Sequence, residues 1–317
     1  MKLKYALLTS LLISCSTLWA EPSNRAFISN EKDDTVSVID LKTNEVVSTI
    51  DIGERPRGIG LSPDQTQLYV AISEEDAIAV VDVATLDIIK KLQSGDDPET
   101  FDVAPNGHIY LSNEDDAQAS VIDTKTGDII EVIPVGIEPE GVAVSPDGSL
   151  VMVTSESTNM IHVIDTAQHK VVKNILVAAR PRGLAFSSDG SLAYASSEVG
   201  NEVAIIDTKT LSIIKHSAID VPNSKPMDIA VSPDDKTIYV TTGRGNSVAV
   251  MDAKTLELKA NVPVGKRVWG VDITRDGQFL YTADGVSSTV SVVDTSSLKT
   301  IKTIDVGKFP WGVVIDD

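Results

Sequence analysis

Seven residues at one recurring position are those whose types could do chemistry: Arg57, Glu99, Glu140, Arg182, Met227, Trp269 and Trp311. Each follows a site occupied by Pro56, Pro98, Pro139, Pro181, Pro226 or Pro310, with Val268 standing in before Trp269. Guanidinium groups clamp anions through paired N–H donors, and indoles stack on planar rings. The neighbouring glutamates Glu99 and Glu140, near Asp97 and Glu138, could hold a divalent cation or act as acid and base. The positions just before the prolines add Arg55, Arg180, Lys225, Arg267 and Phe309 to those acids. A set of positions without a role would more simply repeat one small residue. Arginine and aromatic anchors read as a ligand-binding site, and ion pairs plugging a channel are the plainer reading.

A second feature is acidic. Asp33, Asp34, Glu74, Glu75, Asp76, Glu114, Asp115 and Asp116 fall in three short loops with only Lys32 among them. One sign of charge in one sector can steer a basic partner such as a cytochrome, or collect Ca²⁺. A solvated edge is the competing reading. Other catalytic signals are missing. His108, His162, His169 and His216 form no paired metal motif, and no nucleophile elbow, Walker loop, dinucleotide fingerprint or Cys-x-x-Cys-His site occurs. No catalytic residue is therefore assigned, and any metal site stays open.

These residues are positioned by a repeat. The string Val-x-Val-Ile-Asp recurs with variations, closing on Asp40, Asp82, Asp123, Asp165, Asp207, Asp252 and Asp294, at intervals of 42, 41, 42, 42, 45 and 42 residues. Each copy divides into four short runs rich in Val, Ile and Tyr, fenced by turn residues, which are strands. Four-stranded units of this length spell a β-propeller blade. The fold expected is all-β, a seven-bladed propeller. Residues 25–30 form a second strand and residues 312–316 a first strand, so the two ends complete one blade and close the ring.

The recurring aspartates open turns, as do Asp64, Asp147, Asp189, Asp234 and Asp276, which makes them structural. These turns share one face of the ring. The proline connections and acidic loops lie on the other, where the copies differ and where a scaffold should carry function.

Residues 1–20 read as an export signal: Lys2 and Lys4, an apolar run, then Leu18-Trp19-Ala20 before Glu21. Residues 21–317 are then one propeller domain in the periplasm. Cys15, the only cysteine, sits in a string similar to the bacterial lipoprotein signal, so a lipid anchor is the minority alternative. Past residue 20 no apolar run is long enough to span a bilayer. With 27 basic and 46 acidic residues the net charge is −19, which argues against nucleic acid as a partner.

Tyr239-Val240-Thr241-Thr242, Ser232-Pro233-Asp234 and Val248-Ala249-Val250-Met251-Asp252 resemble the YVTN-type β-propeller repeat, over essentially all of residues 25–317. Length, leader and repeat number are most similar to the propeller proteins associated with pyrroloquinoline-quinone-dependent catabolism in Gram-negative bacteria. That resemblance implies a periplasmic, non-catalytic accessory protein of quinoprotein alcohol oxidation, and it carries over no catalytic residue. The ligand would be a small molecule, with Ca²⁺ or the quinone itself as candidates, or a periplasmic redox protein. Two other readings stand beside it: a lactonase-like hydrolase sited in the channel and using a bound divalent metal, and a scaffold for a basic redox partner.

Overall fold

A computed structural model describes residues 21–317. The leader-like segment and Cys15 lie outside the described residues. Twenty-eight strands form seven four-stranded antiparallel sheets. Blade 1 joins residues 25–51 to the C-terminal strand Pro310–Asp316, which pairs with Arg25–Asn30. Blades 2 to 7 follow as residues 56–93, 98–134, 139–176, 181–218, 229–263 and 268–305. The expected ring closure is therefore present.

The core lies between blades. Seven clusters of buried apolar side chains each join two neighbouring blades, so no sheet face is left without a partner. Alternating Val, Ile and Leu supply most of them. Tyr69, Tyr110, Tyr194, Tyr239 and Tyr281 are buried at one repeat position. The turn aspartates behave as their spacing predicts: Asp40, Asp82, Asp123 and Asp252 each accept the backbone N–H groups two and three residues ahead.

The outermost strands carry a repeated edge device. In every blade the pairing of third and fourth strands slips by one residue. The slip leaves Val47, Ile89, Ile130, Val172, Ile214 and Ile301 unpaired and exposed, with Lys259 in blade 6. Such bulges twist an edge away from pairing with another chain.

In five of the seven blades one hydroxyl stitches the inner rim. Ser29, Ser112, Thr154, Ser196 and Thr241 donate to the carbonyls of Arg57, Glu140, Arg182, Met227 and Trp269 on the next blade, at 2.6, 2.6, 2.9, 2.5 and 2.6 Å. The same oxygens accept an N–H from their own blade, as Gly141 gives to Thr154 at 2.7 Å. Blades 2 and 7 have Ala71 and Ala283 there instead. Valine in place of Thr154 keeps the shape and strands the Gly141 N–H in the interior. We expect it to cost about 1–3 kcal/mol, read as a lower denaturant midpoint; an unchanged midpoint would mean that the stitch carries no stability.

Candidate functional site

The innermost strands begin at the proline positions, and the following residue of each points to the channel mouth. Blade order sets the ring order: Arg57, Glu99, Glu140, Arg182, Met227, Trp269 and Trp311. The structure thus gathers all seven expected residues at one opening. Glu99 is fully buried, Glu140, Arg182 and Met227 are buried, and the other three are half-buried.

Two arginine clusters divide the mouth. Arg57 pairs with Glu99 and with Glu31 at 3.4 Å, while Arg55 meets Glu31, Glu74, Asp97 and Glu99 at 3.7, 3.6, 3.0 and 3.4 Å. Across the ring, Arg182 meets Glu140, Glu156 and Glu198 at 2.6, 2.7 and 3.2 Å, and Arg180 meets Glu156 and Glu198 at 2.6 and 3.2 Å. The indoles of Trp269 and Trp311 stack at 6.2 Å between ring centres. Arg57 lies over Trp311 and Arg182 over Trp269, at 5.7 and 5.4 Å. Each buried guanidinium is thus held by carboxylates and an aromatic face, which fixes its direction.

A second ring was not recognised from sequence. Glu31, Glu114, Glu156 and Glu198 all stand four residues after the equivalent repeat position Phe27, Tyr110, Met152 or Tyr194 of their blades. Their common register was the available signal, obscured because Glu31 and Glu114 sit within longer acidic runs. Blades 6 and 7 carry Gly243 and Gly285 there instead. A Cβ on Gly285 would lie 2.8 Å from Trp269 Cδ1, so the indole occupies the space that a glutamate would need.

Below the mouth lies a cavity of about 160 Å³, walled by Glu140, Arg182, Met227, Trp269 and Trp311 and floored by the strand glycines. A cavity of about 150 Å³ admits one benzene ring, so the space suits a single six-membered ring. Glu140 Oε1 accepts from Arg182 Nη1 at 2.6 Å. Glu140 Oε2 and Arg182 Nη2 make no hydrogen bond among the described residues, and neither is a sealed atom. Glu140 and Arg182, joined by that bond, both line the cavity, and each keeps a polar atom free of other protein partners among the described residues.

Burial dominates the electrostatics. It pushes the Glu99 carboxyl well above the usual range, helped by Glu140 and opposed by Arg57. Burial, then Glu140, raises Glu156 to about 7. Deeper in the ring Asp102, Asp228 and Asp272 are pushed up to about 6, 6 and 7, again by burial. Each of these three accepts an N–H from the next blade, from Val144, Val271 and Ile315 at 2.8, 3.1 and 2.9 Å. Carboxyls whose pKa is higher folded than unfolded bind more protons in the folded state, so stability falls as pH rises through about 4 to 7. Asp40, Asp123 and Asp252, lowered by their backbone donors, act in the opposite sense only below about 4. We therefore expect the melting temperature to be several degrees higher at pH 5 than at pH 8. A flat profile over that interval would mean that the buried aspartates keep their unfolded pKa.

The acidic loops divide by role. Asp34 and Asp76 accept the backbone N–H groups of Arg55 and Asp97 on the next blade, both at 3.0 Å, and so act as caps. Asp33 binds Lys308 at 2.9 Å, and Glu75 pairs with Lys91. Glu74, Asp115 and Asp116 remain at the surface. Glu114 joins Asp97 and Glu99 in a group whose oxygens lie within 4.8 Å of one another, and this could take a divalent cation. Burial raises the pKa of all three, and Arg55 and Arg57 already neutralise two of them.

Among solved structures, a functionally unknown protein from Desulfotomaculum acetoxidans superposes with a TM-score of 0.81 at 17% identity, covering 92% of this chain and 99% of that one. A candidate 6-phosphogluconolactonase from Bacteroides fragilis gives 0.79 at 20% identity, over 93% and 99%. Hydrazine synthase from Kuenenia stuttgartiensis gives 0.74 at 23% identity, over 81% and 88%. At these identities the likeness is one of fold. No curated protein matches the sequence. The sequence profile of the lactonase, seven-bladed β-propeller family matches residues 142–308, more than half the chain and including Arg182, Met227 and Trp269. By that match the chain belongs to the lactonase, seven-bladed β-propeller family.

Proposed function

We propose that the channel mouth hydrolyses a monocyclic lactone. The observation that carries this reading is the bonded pair of Glu140 and Arg182 in the wall of a cavity sized for one ring. In the reaction, Glu140 takes a proton from water as the water oxygen adds to the lactone carbonyl. Arg182 stabilises the oxyanion, the ring C–O bond breaks, and the proton passes to the departing alkoxide, leaving a hydroxy acid. Trp269 and Trp311 give the ring a flat apolar support. Membership of the family supports the same chemistry.

The setting is part of the proposal. The leader-like residues 1–20 and the likeness of the repeat to quinoprotein-associated propellers favour the periplasm. Oxidation of a cyclic hemiacetal by an alcohol-oxidising quinoprotein yields a lactone, so hydrolysis would follow it naturally. The test is pH-stat hydrolysis of five- and six-membered sugar lactones by the purified chain. Saturable turnover above the spontaneous rate supports the reading. Tight binding without turnover would return the protein to the non-catalytic accessory role.

A further inference from the structure

Four of the five arginines around the mouth are neutralised, and the fifth is not. Arg55, Arg57, Arg180 and Arg182 each contact at least two carboxylates. Arg267 makes no ion pair among the described residues, and its guanidinium lies over the Trp269 ring at 4.7 Å. The cause is visible in the second ring. Arg55 of blade 2 is met by Glu31 of blade 1, and Arg180 of blade 5 by Glu156 of blade 4 and Glu198 of its own. For Arg267 of blade 7 the equivalent positions are Gly243 and Gly285, which have no side chain to offer.

The backbone of Arg267 is nevertheless firmly placed. Its N–H donates to Asn246 Oδ1 at 2.8 Å, and its carbonyl accepts from Gly285 at 3.0 Å. Arg244, exposed in the loop between the second and third strands of blade 6, also has no ion pair among the described residues. Burial presses the Arg267 pKa down and Glu198 pulls it up, while Arg244, Arg182 and Arg180 press it down again. An arginine held on an indole, without its counter-ion, at the rim of a small cavity is built to receive one from outside.

We propose that Arg267, with Arg244 beside it, binds a ligand oxyanion, a carboxylate or a phosphate, in the place where the other arginines meet a glutamate. The carboxylate source is a hydroxy acid and the phosphate source a phosphorylated ligand or free phosphate. The subsite lies outside the Glu140–Arg182 pair, and it stands whether or not that pair hydrolyses anything.

The test is calorimetric titration of the full chain with D-gluconate and, separately, with inorganic phosphate at matched ionic strength, with tryptophan fluorescence as a second signal from Trp269. We expect saturable binding with a dissociation constant of about 1 mM or tighter for at least one of the two. Whichever anion binds tighter identifies the source. Arg267→Gln should weaken it by about tenfold, Arg267→Lys by less because the charge survives, and Lys254→Gln on the opposite face should change nothing. Near-UV circular dichroism establishes that the variants are folded. No saturation with either anion, or equal binding by the folded Arg267→Gln protein, overturns the proposal.

Discussion

Glutamine in place of Glu140 should lower lactone turnover by about 10²- to 10⁴-fold, the range associated with removing a positioned general base. The amide keeps the size of the carboxyl, and its oxygen can still accept from Arg182 Nη1, so the cavity wall should stay in place. What is lost is the proton acceptor at Oε2. KM should change little, because the indoles and Arg182 remain. Glu140 is the largest charged contributor raising both Glu99 and Glu156, and also the largest holding the buried Arg182 charged, so a melting curve of the variant reads the repulsion relieved against the pairing lost. With Glu140 neutral, Glu156 should also titrate below its value of about 7, displacing the acid limb of any residual pH–rate profile. Unchanged turnover in Glu140→Gln would remove the carboxylate from the mechanism, and loss of folding would be detected by the same melting curve.

How much of this could be read before the fold was known depends on what kind of signal each residue carries. The spacing of Asp40, Asp82, Asp123 and their successors contained the blade number, and the phase of the ends contained the closure. Both are properties of the chain alone, and both are present in the structure. The mouth residues were legible for the same reason: Arg57 and Trp311 occupy equivalent copies, and a closed ring brings equivalent positions together. Partnership was harder to see. Arg182 meets Glu140 of the preceding blade, whereas Arg57 meets Glu99 of the following one, and nothing in a one-dimensional repeat chooses the direction. Asp34 and Asp76 looked like free surface charge because their acceptor role depends on an N–H supplied 21 residues later by the next blade. Asp102, Asp228 and Asp272 were invisible as a group. Asp228 sits one turn of the strand alternation away from the other two, yet all three end beside a neighbouring blade's N–H.

The family match and the mouth geometry bear on function at different levels. A sequence profile over residues 142–308 covers Arg182, Met227 and Trp269 but stops short of Glu140 and Trp311. The pairing of Glu140 with Arg182 is therefore a property of this chain's own geometry, which is why single substitutions here are more informative than comparison. The same geometry explains why the mouth has two halves. Glutamates in the second ring of blades 1, 4 and 5 pair with the arginines beside them, and glycines in blades 6 and 7 make room for Met227 and Trp269.

Alanine in place of Gly141 should have the largest effect on stability of any single methyl added to the ring. A Cβ at this position would stand 1.9 Å from the carbonyl oxygen of Arg182 and 3.1 Å from Thr154 Oγ1. The backbone dihedral is not in the left-handed region, so space alone demands glycine here. The obstructing atom is main chain, and it is held in place by the 2.9 Å bond from Thr154. Relief therefore requires blade 4 to move from blade 5, or the strand to give up its stitch. Overpacking of a filled interior costs about 1–3 kcal/mol, and a backbone obstacle puts this case at or above the upper end. Gly60→Ala offers the contrast: its Cβ would meet the Phe101 ring at 3.0 Å, a side chain that can give way. The expected order of denaturant midpoints is wild type, then Gly60→Ala, then Gly141→Ala well below. Because the displaced carbonyl belongs to Arg182, folded Gly141→Ala protein should also lose lactone turnover, with its loss matching that of a misplaced guanidinium. A Gly141→Ala midpoint equal to wild type would mean that adjacent blades can part at the mouth without cost, and the rigid frame assumed for Glu140 and Arg182 would fail with it.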